Sequence, residues 1–304
     1  MLDALKRRRR GRKVAWDEDG LPERLRELPS MLTYGERALL YSLGREAAPG
    51  MSIVDAGCFL GGSTVALALG AAERLPQPRT VIHSYDLFRV DYSARTHYGP
   101  LIGDRQIGDD LTPVFEEVVG EDLLRYVEVH PGDLLAQRWS GEPIDVLFVD
   151  VAKTWDLSDH VAREFFPALV PGHSVVVQQD YVHEWLPWIH ITMELLSGCF
   201  ERVAVVPGSP SVVFAATREV KAGDLPAHLR DLPDARLEEL FDRAVTPYEG
   251  EDRSILECAR AVLLFELYGP DRAVAHLDAL AASTQAPTAR FETVWGQVRG
   301  WASA

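Results

Sequence analysis

The sequence has few cysteines and lacks any long apolar run. No apolar stretch approaches the roughly 20 residues that span a bilayer, so we expect no membrane-spanning segment and no membrane partner. The three cysteines, Cys58, Cys199 and Cys258, do not have the spacing of a metal site. They are typical of reduced thiols, so we expect a cytoplasmic protein rather than one from a disulfide-forming compartment.

Net positive charge is also lacking. The formal net charge is -15 at pH 7, and binding to a polyanion requires a positive surface, so we expect no nucleic-acid partner. The exception is the basic block KRRRRGRK at residues 6–13, which is not followed by the apolar segment of a secretory signal. We predict a basic N-terminal arm over residues 1–30, exposed to solvent, with a tethering or docking element as the alternative.

The remaining composition is that of an ordinary globular protein. The 304 residues are 47% hydrophobic and 25% charged, which allows one large domain or a domain with an addition. Thr33 and Glu36 have the spacing of a capping box and predict a first helix. Beyond it, β-branched runs alternate with helical segments, and this alternation predicts a parallel sheet. The predicted strands cover residues 51–56, 79–86, 126–130, 144–150 and 173–179, and the predicted helices cover residues 62–74, 112–120, 156–168 and 184–198.

The last two strand signals are close together. ERVAVV and SVVFAAT are separated only by PGSP, which is too short for a helical crossover, so they predict an antiparallel hairpin. We therefore predict an α/β fold over residues 31–218: a Rossmann-like, doubly wound, mostly parallel seven-stranded sheet with an antiparallel terminal hairpin. Residues 219–304 show only helical patterns and predict a C-terminal extension for packing or for a homo-oligomer such as a dimer, with Trp295 and Trp301 in its core.

The stretch IVDAGCFLGGST, residues 53–64, joins the first predicted strand to a helix. Gly57 permits a tight turn, and Gly61 precedes a helix whose free N–H groups face the crevice at the strand ends. Phe59 stands where a dinucleotide fingerprint needs its second glycine, and this disfavours NAD. The acidic strand end at Asp55, beside an open glycine turn, suits a ligand with an ammonium and a carboxylate.

Two further carboxylates are expected at the same edge of the sheet. Asp86 ends the second strand, where it can accept both hydroxyls of a ribose, and Asp133 follows the third strand. Together with Asp55 they favour a nucleoside that carries an amino-acid tail, and S-adenosylmethionine is that ligand. The predicted cofactor-binding residues are Asp55, Gly57, Phe59, Gly61, Ser63, Asp86 and Asp133.

Several of these motifs resemble class I S-adenosylmethionine-dependent methyltransferases. The resemblance is carried by DAGCFLGGST, by the Asp86 strand end and by FVDVAKTWD before VPGHSVVVQQDY, and it covers roughly residues 31–217. The GxxxGGST form is similar to the branch that includes macrocin O-methyltransferase. The resemblance implies methyl transfer to a hydroxyl of a small molecule, such as a sugar or a natural-product intermediate. N- or C-methylation and a catalytically degenerate binding subunit remain alternatives, and an NAD-dependent oxidoreductase is less favoured.

Methyl transfer requires that the acceptor be positioned and deprotonated. The segment around Asp150 resembles the catechol O-methyltransferase group, in which an Asp at this strand end binds a divalent metal and a Lys at this offset is the general base. The resemblance therefore implies Asp150 and Lys153 as catalytic residues, and Asp150, Gln179 and Asp180 as ligands of a possible Mg²⁺. For Lys153 to act as a base, its pKa would have to be lowered.

Two further segments supply candidates for acceptor contact. His183 and His190 compete with Lys153 as bases, since imidazole titrates near neutrality, and Trp185 and Trp188 follow in the same segment as a wall or as packing residues. Residues 87–111 show little periodicity, and we predict a lid over the cofactor and acceptor, with a mobile surface loop as the alternative. The side chains there that are available for contact are Tyr92, Arg95, His97 and Tyr98.

Overall fold

The computed structural model describes residues 12–75, 77, 79, 81–284 and 287–303. Most of the basic block, residues 6–11, therefore lies outside the described residues. The described part of the predicted arm packs on the domain: Arg12 donates to the Asp145 carboxylate at 2.9 Å, and Leu25 is fully buried. Among the described residues, no helix combines the length and the apolar character that crossing a membrane requires.

The described strands form one seven-stranded sheet, which confirms the predicted fold class. Its order is β3-β2-β1-β4-β5-β7-β6, and all pairs are parallel except β5–β7 and β6–β7. The chain order reverses between β1 and β4, which neighbour each other at the centre. The strands are β1 (Ser52–Ala56), β2 (Ile82–Asp86), β3 (Val127–Pro131), β4 (Ile144–Val149), β5 (Val175–Gln178), β6 (Phe200–Val205) and β7 (Val212–Ala216). β1, β4 and β5 are buried along their whole length, as expected of central parallel strands covered on both faces.

Helices cover both faces of the sheet. One apolar cluster joins one face to α2, α3 and α5, and a second joins the other face to α7, α8, α9 and α10. The helices in the described residues are α1 (Glu23–Glu27), α2 (Tyr34–Glu46), α3 (Gly62–Arg74), α4 (Tyr92–Ile102), α5 (Thr112–Val119), α6 (Glu121–Leu124), α7 (Trp155–Glu164), α8 (Pro187–Leu195), α9 (Asp234–Val245), α10 (Gly250–Tyr268), α11 (Pro270–Ser283) and α12 (Ala289–Ala302).

Local sequence signals explain where several helices begin. The capping box predicted before α2 is present: the Thr33 hydroxyl accepts from the Glu36 N–H, and the Glu36 carboxylate accepts from the Thr33 N–H at 2.7 Å. α8 begins later than predicted because Pro187 occupies its first turn, where a missing N–H costs nothing.

The segment 87–111 is not a long loop. It contains α4, which Asp91 caps by accepting from the Ala94 N–H at 2.7 Å. Ala94, Tyr98 and Ile102 lie four residues apart and are buried in the core. Tyr98 has non-helical dihedral angles and Pro100 follows within the helix, so a kink interrupts the pattern from which the sequence would predict a helix.

The C-terminal helices share a core with the sheet. Phe241 in α9 and Leu263 in α10 are fully buried in the same apolar cluster as Val176 of β5 and Phe214 of β7. A third cluster joins α10, α11 and α12 to one another. Of the two tryptophans expected in the core, Trp295 donates its indole N–H to the Leu277 carbonyl at 2.9 Å, whereas Trp301 is 39% exposed.

Candidate functional site

A cleft opens at the carboxyl ends of β1, β4 and β5, beside the point where the chain order reverses. In open parallel sheets this is the usual position of a ligand. The cleft has a volume of about 210 Å³. Its walls come from five parts of the chain: a segment before α2, the turn after β1 with the start of α3, Tyr98 of α4, the residues around the end of β4, and the residues after β5. The lining residues are Pro29, Ser30, Met31, Leu32, Gly57, Cys58, Phe59, Leu60, Gly62, Ser63, Tyr98, Phe148, Asp150, Lys153, Gln179 and Asp180.

The turn after β1 forms the floor of this cleft. Gly57 has a φ of +94°, and a Cβ there would lie 2.7 Å from the backbone carbonyl of Asp150, so β1 and β4 can approach this closely only at a glycine. Phe59 is also left-handed, with a φ of 48°, and its ring meets the Tyr98 ring edge-on at 5.4 Å. The turn thus requires one glycine for space and holds one bulky residue in an uncommon conformation.

Asp55 lies beneath the floor rather than in the cleft. Its carboxylate is fully buried and accepts hydrogen bonds from the Ser63 hydroxyl at 2.9 Å and from the Thr64 hydroxyl at 2.5 Å. Burial raises the pKa of Asp55 to about 7, although the two hydroxyls act in the opposite direction. Asp55 therefore ties the end of β1 to the first turn of α3, and Ser63 both lines the cleft and makes this tie.

Asp86, at the end of β2, contacts the same turn from the side. Its carboxylate accepts from the Phe59 N–H at 2.9 Å and from the Phe88 N–H at 2.8 Å. Burial raises its pKa, and these backbone donors oppose the shift. Asp133, after β3, is exposed and caps a short helical turn by accepting from the Leu135 N–H at 3.0 Å.

The wall formed by residues 29–32 was not predicted from the sequence. Arg37, buried in α2, holds this segment by donating to the backbone carbonyls of Leu25, Leu28, Ser30 and Leu32 at 2.6 to 3.0 Å. Gly62 lacks the Cβ that would lie 2.5 Å from the Ser30 hydroxyl, so the wall packs directly on α3. The capping box locates the start of α2, but no local signal shows that the preceding residues face the cleft.

Three charged side chains meet at the other end of the cleft. The Lys153 ammonium contacts Asp150 at 2.6 Å and also contacts Asp180, which follows β5. Burial raises the pKa of Asp150 to about 7, with Lys153 lowering it and Asp180 raising it. Partial desolvation lowers the pKa of Lys153, but the two carboxylates outweigh this effect and leave it raised. The shift of Lys153 is opposite to the one that a general base requires.

The residues at this end do not fit a Mg²⁺ site. The ammonium of Lys153 lies between the two carboxylates that would bind the ion. When the Gln179 amide is turned with its nitrogen towards the carboxylates, it donates to Asp150 at 3.1 Å and to Asp180 at 2.6 Å, and it satisfies both without an ion. The two carboxylates are thus bound by the chain's own Lys153 and Gln179.

The histidines and tryptophans after β5 are not among the residues lining the cleft. His183 accepts from the Trp185 N–H at 3.2 Å. His190 is fully buried, its ring lies 4.6 Å from that of Tyr181, and burial lowers its pKa to about 4. Trp188 donates to the Ala152 carbonyl at 2.7 Å, and Trp185 packs towards the C-terminal helices. These side chains have packing partners that explain their positions.

Of the four side chains expected in the lid, only Tyr98 lines the cleft. Tyr92, Arg95 and His97 lie on the exposed side of α4, and Tyr92 is 78% exposed. The helix presents one aromatic ring to the glycine turn and its polar residues to solvent.

No protein-family model matches the sequence, and no curated protein matches it. Among solved structures, the chain is similar to the O-methyltransferase NovP, with 15% identity and a TM-score of 0.48 over 62% of this chain and 83% of that chain. It is similar to CalS11, a TDP-rhamnose 3'-O-methyltransferase of calicheamicin biosynthesis, with 18% identity and a TM-score of 0.41 over 59% and 76% of the two chains. It is also similar to a TehB-like SAM-dependent methyltransferase from Corynebacterium glutamicum, with 17% identity and a TM-score of 0.38 over 66% and 97%. These three structures are methyltransferases, and two of them are O-methyltransferases.

Proposed function

We propose that the protein is an S-adenosylmethionine-dependent methyltransferase that acts on a hydroxyl of a small molecule. One observation carries the proposal: a single cleft at the reversal point of the sheet joins a glycine turn beside Asp86 to the charged group of Asp150, Lys153 and Asp180. A nucleoside cofactor fits the first end, and an acceptor hydroxyl fits the second. The sequence resemblance implies a sugar or natural-product acceptor.

The cofactor end is built to hold an adenosyl group. Asp86 keeps acceptor capacity beyond the two backbone N–H groups that it binds, because each carboxylate oxygen can accept more than one hydrogen bond, and a ribose offers two hydroxyl donors. Gly57, Phe59 and Ser63 line the adjoining floor. Asp55 contributes indirectly by fixing the floor through Ser63 and Thr64. Asp133 extends the acidic edge of the sheet.

When bound, the cofactor supplies an electrophilic methyl group on a sulfonium, and the chain must orient and deprotonate the acceptor. Asp150 suits the role of base, because a carboxyl with a pKa raised towards neutrality can take a proton from a hydroxyl and keep it. Lys153 remains an ammonium in this scheme. It holds Asp150 and Asp180 in place and can orient the acceptor oxygen.

Binding of S-adenosylhomocysteine, measured by calorimetry, tests the proposal. Replacing Asp86 removes a charged acceptor from the ribose position, so Asp86→Asn should weaken binding by about 10- to 100-fold, since a hydrogen bond to a charged group contributes roughly 1.5–3 kcal/mol. Asp104→Asn, an exposed carboxylate on the segment after α4, is the control and should bind as the original protein does.

Three results would count against the proposal. An unchanged affinity in Asp86→Asn would exclude the ribose assignment. Thermal stabilisation by NAD but not by S-adenosylhomocysteine would favour an oxidoreductase. Retention of the cofactor without methyl transfer to any member of a panel of sugars, phenols and amines would favour a binding subunit.

A further inference from the structure

A second group of chemically reactive side chains lies on the sheet edge, away from the cleft. His83 in β2 and Glu128 and His130 in β3 each offer one ligand atom, and these atoms all lie within 4.8 Å of one another. Among the residues that the structure describes, no other group of three or more His, Cys, Asp or Glu side chains has this spacing. It shares no lining residue with the cleft described above.

The register of the two strands brings the three residues together. His83 stands directly opposite Glu128 in the parallel β2–β3 pair, and His130 lies two residues beyond Glu128, so all three side chains leave the same face of the sheet. β3 is an edge strand that is hydrogen-bonded to β2. All three residues therefore stand on paired strands, and the sheet rather than a loop fixes their backbone positions.

The separations fit a transition-metal ion. His83 Nδ1 lies 3.1 Å from His130 Nε2 and 3.7 Å from Glu128 Oε2, and His130 Nε2 lies 3.7 Å from the other carboxylate oxygen, Glu128 Oε1. Two ligand atoms on a tetrahedral zinc ion with bonds of about 2.0–2.1 Å are about 3.3 Å apart. The observed distances bracket this value, so an ion can be accommodated with small side-chain adjustments.

The group is also accessible. His83 and His130 are 15% and 22% exposed, Glu128 is 55% exposed, and all three line an open groove together with Trp139, whose ring meets that of His83 edge-on at 5.0 Å. The histidine rings are therefore held by packing on one side and face solvent on the other. An ion could enter from the groove and keep a water molecule in its fourth position.

We propose that His83, Glu128 and His130 form a binding site for one zinc ion, or a divalent transition metal of similar preference, that links the edge strand β3 to β2. Two imidazoles and one carboxylate are ligands that zinc commonly takes. Because zinc is usually four-coordinate, three protein ligands leave one position open. The site is independent of the proposed methyl transfer, because it lies on different residues and outside the cleft.

Zinc titration of the untagged full-length chain, followed by calorimetry, tests the proposal. We expect one zinc ion per chain, a rise in Tm with zinc, and a visible absorption band of tetrahedral cobalt(II) when cobalt replaces zinc. His83→Ala, His130→Ala and Glu128→Gln should each weaken zinc binding by about 100-fold or more, since even changes beyond the direct ligands cost 10- to 100-fold.

Two controls isolate the site. Glu142→Gln alters a carboxylate in the same groove but outside the group, and His173→Ala removes an exposed histidine elsewhere; both should bind zinc within about twofold of the original protein. Glu128→Gln changes a largely exposed side chain and keeps its volume, so weaker zinc binding by this variant could not be explained by unfolding. The proposal would be overturned if the three ligand variants bound zinc as tightly as the original chain does, or if the original chain bound no stoichiometric zinc. S-adenosylhomocysteine binding should be unchanged in every variant.

Discussion

Lys153 shows how a single residue can change role once its surroundings are known. Its offset from Asp150 suggested a general base, but Asp180 approaches from the next strand and gives the ammonium a second carboxylate. The resemblance implies Asp180 near Asp150, but the direct contact of Asp180 with Lys153, 27 residues away in the chain, needs the structure. A lysine held between two anions is a positioning group and a poor base.

The charge state of Lys153 can be measured without knowing the acceptor. The chain has four lysines, and acetic anhydride attacks only the neutral amine. Because its pKa is raised, Lys153 should react at least about tenfold more slowly at pH 8 than the exposed Lys221, as read by mass spectrometry of peptides. Asp180→Asn should speed the reaction. Labelling of Lys153 faster than Lys221 would restore it as a candidate base.

Arg37 is a second residue whose importance the sequence does not reveal. It donates to four backbone carbonyls, two of them in the segment 29–32 that walls the cleft and two just before it. Arg37→Met should lower the free energy of unfolding by about 3 kcal/mol or more, since buried carbonyls lose a charged donor, and should weaken S-adenosylhomocysteine binding. Arg45→Met, an exposed position on the same helix, is the control for urea unfolding and calorimetry. Equal stability of the two variants would contradict this account.

At the scale of elements, the turn between β1 and α3 links fold to function. Gly57 and Gly50 both have positive φ values, +94° and +79°, but a Cβ at Gly57 would lie 2.7 Å from backbone atoms, whereas nothing lies within 4 Å at Gly50. Substitutions at Gly50 therefore test the backbone conformation alone, whereas substitutions at Gly57 test the conformation and the close packing together. At this turn the chain contacts the backbone of Asp150, directly after β4.

Alanine at these two glycines should have unequal effects. Gly50→Ala bears only the cost of a left-handed alanine, about 1–2 kcal/mol. Gly57→Ala adds the steric contact and should cost roughly 3 kcal/mol or more, with loss of S-adenosylhomocysteine binding because the floor moves. Urea unfolding and calorimetry report both quantities. If the two variants lost similar stability, close packing would not be what requires Gly57.

Elements with a local signature were predictable from the sequence. The hairpin of β6 and β7 follows from a connection too short for a crossover, and the start of α2 follows from Thr33 and Glu36. α4 was missed because its kink at Tyr98 and Pro100 breaks the helical period. The group of His83, Glu128 and His130 was also missed, since it depends on strand register. Local sequence patterns predict individual helices and strands. Contacts between residues that are distant in the chain can be identified only once the fold is known.

At the scale of the whole molecule, the C-terminal helices belong to the core of the sheet. Phe241 and Leu263 lie in the same apolar cluster as Val176 and Phe214. Trp155, in the first turn of α7, donates to the Glu266 carboxylate of α10 at 2.6 Å, and Arg230 lies over its ring. These contacts give the extension a packing role within one chain, and we retain its role in a dimer as a prediction.

Because this core is shared, the chain should unfold in one transition. Phe241→Ala removes a fully buried ring and should lower the free energy of unfolding by about 3–5 kcal/mol for the sheet and the helices together. Circular dichroism and tryptophan fluorescence in urea should give coincident curves. Tyr268→Ala, 41% exposed on α10, is the control and should change stability little. Two separate transitions, only one of them shifted by Phe241→Ala, would show an independent helical domain.

The shared core also has a consequence for the order of events during synthesis. Residues of β5 and β7 leave the ribosome well before Phe241 and Leu263, which cover them. Until α9 and α10 emerge, the part of this face that they cover is in contact with water, although α7 and α8 already cover the rest, and exposed apolar surface promotes aggregation. The sheet therefore completes its burial only after α9 and α10 have been synthesised.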